Sequence, residues 1–188
     1  SPKAGGDVVA RVIASGPHES INRMRWILHA AVSQAQTRIC VMTPYLLPDE
    51  ILVSALRLAA IRGVRIDIII PARSNLRFVD WAAHARLDEL LVDGCHVWFG
   101  PEPFNHAKLM LVDDDWALVG SSNWDPRSLR LNFELNVECQ SPILVRELDA
   151  VFQVEKSASR AVSLDEMEQQ GMLVRLRNGV ARLFSPYL

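Results

Sequence analysis

Two spacings of apolar residues alternate along this chain. Runs rich in β-branched residues at Val8 to Ala14, Arg38 to Thr43, Arg65 to Ile70 and His96 to Phe99 have the length and composition of strands. Between them, apolar residues recur at helical period over Glu19 to Gln36, Pro48 to Arg62 and Asn75 to Val92. The pattern predicts β-α-β-α-β-α-β. Unbroken runs such as Ile66-Asp67-Ile68-Ile69-Ile70 belong to strands covered on both faces, so the expected fold is α/β and layered.

After Gly100-Pro101 the spacing changes. Ala107 to Asp113 and Trp116 to Ser122 read as two strands joined by a tight acidic turn at Asp114-Asp115, a hairpin that enters the sheet and makes it mixed. Phe133 to Cys139 alternates as a further strand, and a helix from Pro142 to Arg160 is expected to cover the sheet.

At 188 residues, nearly half of them apolar, the chain can bury one real core. A formal charge of −2 offers no global attraction for a polyanion, which argues against nucleic acid as partner. Cys40, Cys95 and Cys139 are widely spaced in apolar stretches, without a CxxC or Cys/His cluster, and read as reduced core thiols of a reducing compartment. No apolar run approaches the roughly 18 residues of a membrane-spanning helix, and no leader pattern is present. Residues 1–6, Ser1-Pro2-Lys3-Ala4-Gly5-Gly6, read as a linker or cloning scar ahead of a segment taken from a longer chain. In the tail, Leu173, Leu176, Val180, Leu183 and Phe184 interleave with Arg175, Arg177 and Arg182, a basic amphipathic helix that rests either on anionic lipid or against the domain.

The hairpin carries the chemistry. Side chains two apart on a strand share a face, so His106 and Lys108 project together. With a two-residue turn, Asp113 pairs with Trp116, Lys108 lies opposite Ser121 and His106 opposite Asn123, while Leu109, Leu111, Trp116 and Leu118 form the apolar face behind them. Lys108 stands among apolar neighbours and needs an anion. Imidazole, ammonium, hydroxyl and carboxamide suit a tetrahedral phosphate better than a structural metal. Glu134, sharing a face with Asn136 and Glu138, is placed to reach an imidazole nitrogen and fix its tautomer. A lone histidine would read as a core residue, and a Ser121/His106/Asp113 hydrolase triad lacks a nucleophile elbow. His84 and Asp80 read as a helical polar pair; Tyr45 and Arg127 stand near the site without an assigned role.

His106-x-Lys108-x4-Asp113 followed by Gly120-Ser121-x-Asn123 resembles the HKD motif of the phospholipase D superfamily. Thr43-Pro44-Tyr45-Leu46-Leu47-Pro48-Asp49, Asp125-Pro126-Arg127-Ser128, Leu131-Asn132-Phe133-Glu134-Leu135-Asn136 and Leu183-Phe184-Ser185-Pro186-Tyr187-Leu188 resemble the C-terminal half of bacterial cardiolipin synthases. The likeness runs over nearly the whole chain. It implies a layered α/β/α sandwich with a mixed central sheet, a phospholipase D-like half with one HKD motif over 7–160 and a helical tail over 161–188. It also implies a catalytic His106, phosphate ligands Lys108, Ser121 and Asn123, and a carboxylate, Glu134, paired with the histidine. Asp113 and Gly120 are then structural members of the motif, Asp113 because its parity is opposite to that of His106 and Lys108. The implied partner is a phospholipid at the cytoplasmic side of the inner membrane.

Phosphodiester exchange through a phosphohistidine needs a nucleophile on one side of phosphorus and a proton donor on the other, and one imidazole cannot stand in both places. His18, His29, His84 and His96 lack a lysine at +2, so a second HKD half is expected from the same parent chain or a homodimer mate. The resemblance assigns a second-half histidine as general acid. A homodimeric HKD nuclease and a noncatalytic interaction domain are the competing readings; the slightly acidic composition and the flanks disfavour the first, the complete motif the second. No cofactor or metal is expected, because Lys108 and its counterpart supply the positive charge. Treating the active enzyme with EDTA should therefore leave turnover unchanged, and a loss restored by magnesium would reject that expectation.

Overall fold

The computed structural model describes residues 8–17, 22–103 and 105–184. The β-branched runs become β1 (Val9–Ser15), β2 (Arg38–Met42), β3 (Arg65–Pro71) and β4 (His96–Gly100). The later strands are β5 (Leu109–Val112), β6 (Trp116–Gly120), β7 (Glu134–Gln140) and a short β8 (Arg160–Ala161). The helices are α1 (Arg23–Gln34), α2 (Glu50–Ile61), α3 (Arg77–Val92), α4 (Pro126–Arg130), α5 (Pro142–Ala158), α6 (Leu164–Glu168) and α7 (Met172–Leu183). The first six residues, positions 19–21 of the first expected helix and the last four residues lie outside the described residues.

The strands form one mixed sheet of order β1-β7-β6-β5-β2-β3-β4-β8, in which β2, β3 and β4 run parallel and the other pairings are antiparallel. The first β-α-β unit differs from the next two: β1 lies at the far edge, antiparallel to β7, and not beside β2. Its side chains suit that place, because Val9 and Val12 are exposed while only Ile13 and Ser15 are buried, which is an edge pattern.

Both faces of the central strands are covered. Ile39, Val41, Ile66, Ile68, Met110 and Leu118 face α1, α2 and α3 through Leu28, Val32, Leu52, Leu56 and Leu87. Cys40, Met42, Leu109, Leu111 and Ala117 face α5 through Val145 and Phe152. The result is an α/β/α sandwich. Charged pairs fix α5 in register: Lys156 Nζ meets the buried Asp67 at 2.7 Å, and Arg38 donates to Asp149 at 2.8 Å. Burial pushes the Asp67 carboxyl up, but hydrogen bonds from Lys156, Arg65 and Trp98 hold it below its ordinary value. The three cysteines are buried free thiols, with Cys40 pushed up to about 11 and Cys95 to about 12 by burial.

The hairpin corrects the expected register. Val112 pairs with Trp116 and Leu109 with Val119, so the turn holds three residues, 113–115, and every cross-strand partner moves by one. Lys108 consequently lies opposite Gly120, whose N–H donates to the Lys108 carbonyl at 3.3 Å, and not opposite Ser121. The expected apolar face is corrected with it: Leu109 and Leu111 lie on the α5 side, Leu118 on the α1–α3 side. The cause is Asp113, which adopts a left-handed backbone (φ 51°) and leaves the ladder. Its carboxylate accepts from the backbone N–H groups of Gln36 (3.0 Å), Thr37 (2.7 Å) and Arg38 (3.1 Å) and from the Thr37 hydroxyl (2.8 Å). Those bonds tie the turn to the start of β2.

The tail helix α7 packs against α3 through Ala181, which joins Val79, Ala82 and Ala83 in a small apolar cluster. Asn178 and Ala181 are buried in the contact, Arg182 pairs with Glu89 at 2.6 Å, and the Arg177 guanidinium lies 4.5 Å from the Trp81 ring centre.

Burial pushes the Asp113 carboxyl up, yet the N–H groups hold it below its ordinary value, so its contribution is full above the free carboxylate pKa of about 3.9 and is lost as pH falls through the lower folded value. Asp113→Asn should cost about 1–3 kcal/mol in urea melts at neutral pH, with the gap to the parent closing on acidification. A gap that does not change between neutral and acidic pH would contradict this account.

Candidate active site

The antiparallel pairing of β5 with β2 and of β6 with β7 brings four chain segments to one end of the sheet. They are the approach to β5 with His106 and Lys108, the turn after β2 with Tyr45, the exit of β6 with Gly120 to Asn123, and the entry to β7 with Glu134. This is the carboxyl end of the parallel strands, where layered α/β folds gather ligands.

His106 and Lys108 are in contact: Lys108 Nζ lies 2.8 Å from His106 Nδ1 and donates to the His106 carbonyl at 2.6 Å. An ammonium can only donate, so Nδ1 is the acceptor in this pair and the proton of the neutral ring sits on Nε2. Burial and the Lys108 charge both lower the His106 pKa, which favours neutral imidazole. Burial also lowers the Lys108 ammonium, against the pull of the Glu134 and Asp125 carboxylates. The Tyr45 ring stands edge-on to His106 with centroids 6.2 Å apart, and its hydroxyl donates to Asn75 Oδ1 at 2.6 Å.

A relay supports the carboxylate. The Asn123 N–H donates to Ser128 Oγ at 2.8 Å, and Ser128 Oγ donates to Glu134 Oε1 at 2.7 Å, which also accepts from Asn132 Nδ2 at 3.3 Å. The Asn123 side-chain oxygen is buried without a hydrogen-bond partner among the described residues, in the wall of a cavity that also includes Tyr45, Asn75, Asp125 and Arg127. The Ser121 hydroxyl is turned to the backbone of Leu135, accepting its N–H at 2.9 Å. Gly120 is required by close approach: a Cβ there would stand 2.5 Å from the Leu135 carbonyl oxygen and 2.6 Å from Asn136 Cα.

Sequence reasoning missed Ser128, Asn132 and Asp125, and left Tyr45 without a role. Asp125 caps α4 by accepting from the Ser128 N–H at 2.8 Å, with Pro126 at the first helical position. That Asp-Pro-x-Ser pattern is a helix start that could have placed Ser128 beside the strand exit. Burial, with Glu134 nearby, raises the Asp125 carboxyl above its ordinary value despite the N–H groups of Ser128 and Arg127.

The measurable consequence lies in the His106–Lys108 contact. Lys108→Met removes the cation that disfavours imidazolium, so an NMR titration should show the His106 pKa rising toward the ordinary histidine value of about 6.5. An unchanged pKa would contradict the coupling.

Comparison with known proteins identifies the family. Residues 28–155 match the family described as "Cardiolipin synthase, PLD-like domain". The chain is 34% identical over 183 residues to the major cardiolipin synthase ClsA of Bacillus subtilis, covering 97% of this chain and 38% of that protein. It is 33% identical over 187 residues to the probable cardiolipin synthase YwiE of the same species, covering 100% of this chain and 37% of that protein. The chain thus spans less than two fifths of the length of these relatives. Among solved structures, the phospholipase D family member Nuc from Salmonella typhimurium superposes with a TM-score of 0.70 at 23% identity, over 84% of this chain and 99% of that one. Phosphatidylserine synthase from Haemophilus influenzae superposes with a TM-score of 0.75 at 16% identity, over 96% of this chain and 48% of that one. At such identities these two speak for the fold. With the family match extending over more than half its length, this chain belongs to the cardiolipin synthase PLD-like domain family.

Proposed function

We propose that residues 7–160 are one catalytic half of a cardiolipin-synthase-like phosphatidyltransferase, working with a second HKD half from the same parent chain or from a homodimer mate. The observation that carries this reading is the His106–Lys108 contact at 2.8 Å, with the Glu134 and Asp125 carboxylates near the ammonium, at the open end of the sheet. Lys108, Ser121 and Asn123 bind the phosphate. His106 acts on the transferring proton, and Glu134, held by Ser128 and Asn132, is the carboxylate paired with that histidine.

In the first step one histidine of the pair attacks phosphorus: an N–P bond forms as the P–O bond to the leaving alcohol breaks, and that alcohol oxygen takes a proton from the other histidine. In the second step an incoming alcohol gives its proton to the now neutral histidine and attacks phosphorus, breaking the N–P bond. Water in place of the alcohol gives hydrolysis. The likeness to a C-terminal half gives His106 the proton-handling position; burial and the Lys108 charge lower its pKa, and an anionic phosphodiester beside Lys108 would offset that charge and favour the imidazolium that donates. The substrate is a phospholipid, and the domain would act at the cytoplasmic face of the inner membrane as part of a longer chain. The identities to cardiolipin synthases favour lipid over a nucleic-acid substrate.

Two measurements on the intact two-half enzyme test this. His106→Ala should lower phosphatidylglycerol turnover by at least about a hundredfold, the usual scale of a positioned acid or base. Retained turnover in that variant, or cleavage of nucleic acid with none of phosphatidylglycerol, would reject the reading.

A further inference from the structure

The tail helix α7 is docked the wrong way round for a domain that meets only water. A surface helix normally turns its apolar stripe inward. Here Asn178 and Ala181 are 2% and 1% exposed, whereas Met172, Leu173, Leu176 and Leu183 are 82%, 79%, 63% and 75% exposed, with Val180 beside them at 45%. At 3.6 residues per turn these five apolar positions fall in one sector, opposite Asn178. The contact with α3 buries Ala181 against Val79, Ala82 and Ala83 and is fastened by the pairs Arg182–Glu89 and Arg177 on Trp81. The stripe is therefore displayed, not left over from a failed packing.

It is also continuous with the candidate active site. Phe184, one residue past the helix, meets the ring of Phe78 at 6.0 Å. Phe78 and the exposed Leu76 line the same cavity as Tyr45 and Asn123, and Tyr45 stands edge-on to His106. An apolar apron thus runs from the catalytic mouth along α7.

Its border is cationic in a chain whose net charge is negative. Arg73, Arg77 and Arg177 line a cavity around Trp81, and Arg175 is exposed on the other flank of the stripe. The acidic group in that cavity, Asp80, is engaged by the N–H and hydroxyl of Ser74 at 2.9 and 2.6 Å. Across a twofold contact with a second copy, this rim would set arginine against arginine. Against a bilayer the same rim meets phosphate, while the stripe enters the boundary of the acyl chains.

We propose that α7, with Leu76, Phe78 and Phe184, is a docking surface for an anionic phospholipid bilayer and holds the His106 mouth at the lipid interface. The proposal rests on the phospholipid reading of the site, but docking needs no turnover, so the two can fail separately.

The test is flotation of this chain with vesicles of phosphatidylcholine alone and of phosphatidylcholine mixed with phosphatidylglycerol. The parent should float with the mixed vesicles and much less with the neutral ones. Replacing Leu173, Leu176 and Val180 together by Ser should lower the partition coefficient by at least about tenfold. The pair Arg73→Gln and Arg175→Gln should lower it about fivefold per arginine on anionic vesicles and leave the weak neutral binding unchanged. His106→Ala should float like the parent, which separates docking from chemistry. Matching thermal melts would show that the exposed substitutions leave the fold intact. The proposal is overturned if the parent fails to float, if the triple variant floats as well as the parent, or if the parent is a dimer that the triple variant dissolves.

Discussion

Everything at the candidate-site end of this domain hangs on where the β5–β6 hairpin is anchored, and the anchor is one carboxylate. Asp113 gathers the backbone N–H groups of Gln36, Thr37 and Arg38 on the segment that leads into β2. In exchange, the turn is pinned to the neighbouring strand at the end opposite His106. Fixing that end fixes the ladder: Val112 opposite Trp116, then Leu109 opposite Val119, then Lys108 opposite Gly120. A one-residue slip would invert both faces of the hairpin and forfeit the bonds of Asp113 to Gln36, Thr37 and Arg38.

Once the register is set, Gly120 decides how closely β6 can approach β7. The absence of a Cβ lets the Leu135 carbonyl and Asn136 come within a distance that any other residue would occupy. Asn136 uses that proximity, accepting the Ser122 N–H at 3.2 Å and donating to the Ser122 hydroxyl at 2.7 Å in a buried pair. The tight junction brings Asn123, Ser128 and Glu134 into one chain of hydrogen bonds. A cation then sits where its charge is costly: Lys108 is partly buried, tied to His106, and faces Glu134 and Asp125. Such a group is stabilised by an anion.

One set of exposed apolar side chains adjoins the candidate site. Leu76, Phe78 and Phe184 adjoin the mouth, and α7 extends the same apolar surface while its other side holds to α3. The candidate site and this apolar surface are thus joined through Tyr45, Leu76 and Phe78, which line one cavity.

Much of this was legible in the residues alone. The β-branched runs and helical periods determined the strands and helices to within a few residues, because burial on one or two faces imposes its period directly on the sequence. The spacing of His106 and Lys108 put them side by side, as their contact bears out, although both stand ahead of β5 and not on a strand as expected. What the chain could not reveal locally was decided by contacts far apart in sequence. The hairpin register depended on Asp113 reaching Gln36 to Arg38, more than seventy residues away, so counting from an assumed two-residue turn put Ser121 where Gly120 belongs. The place of β1 at the sheet edge depended on β7, and the roles of Ser128 and Asn132 on a strand entry that only the assembled sheet brings near. The tail showed its amphipathic period in sequence, but which side would dock was a question of competing surfaces. Trp81 and Glu89 on α3 supplied partners for Arg177 and Arg182, and the apolar side was left facing out.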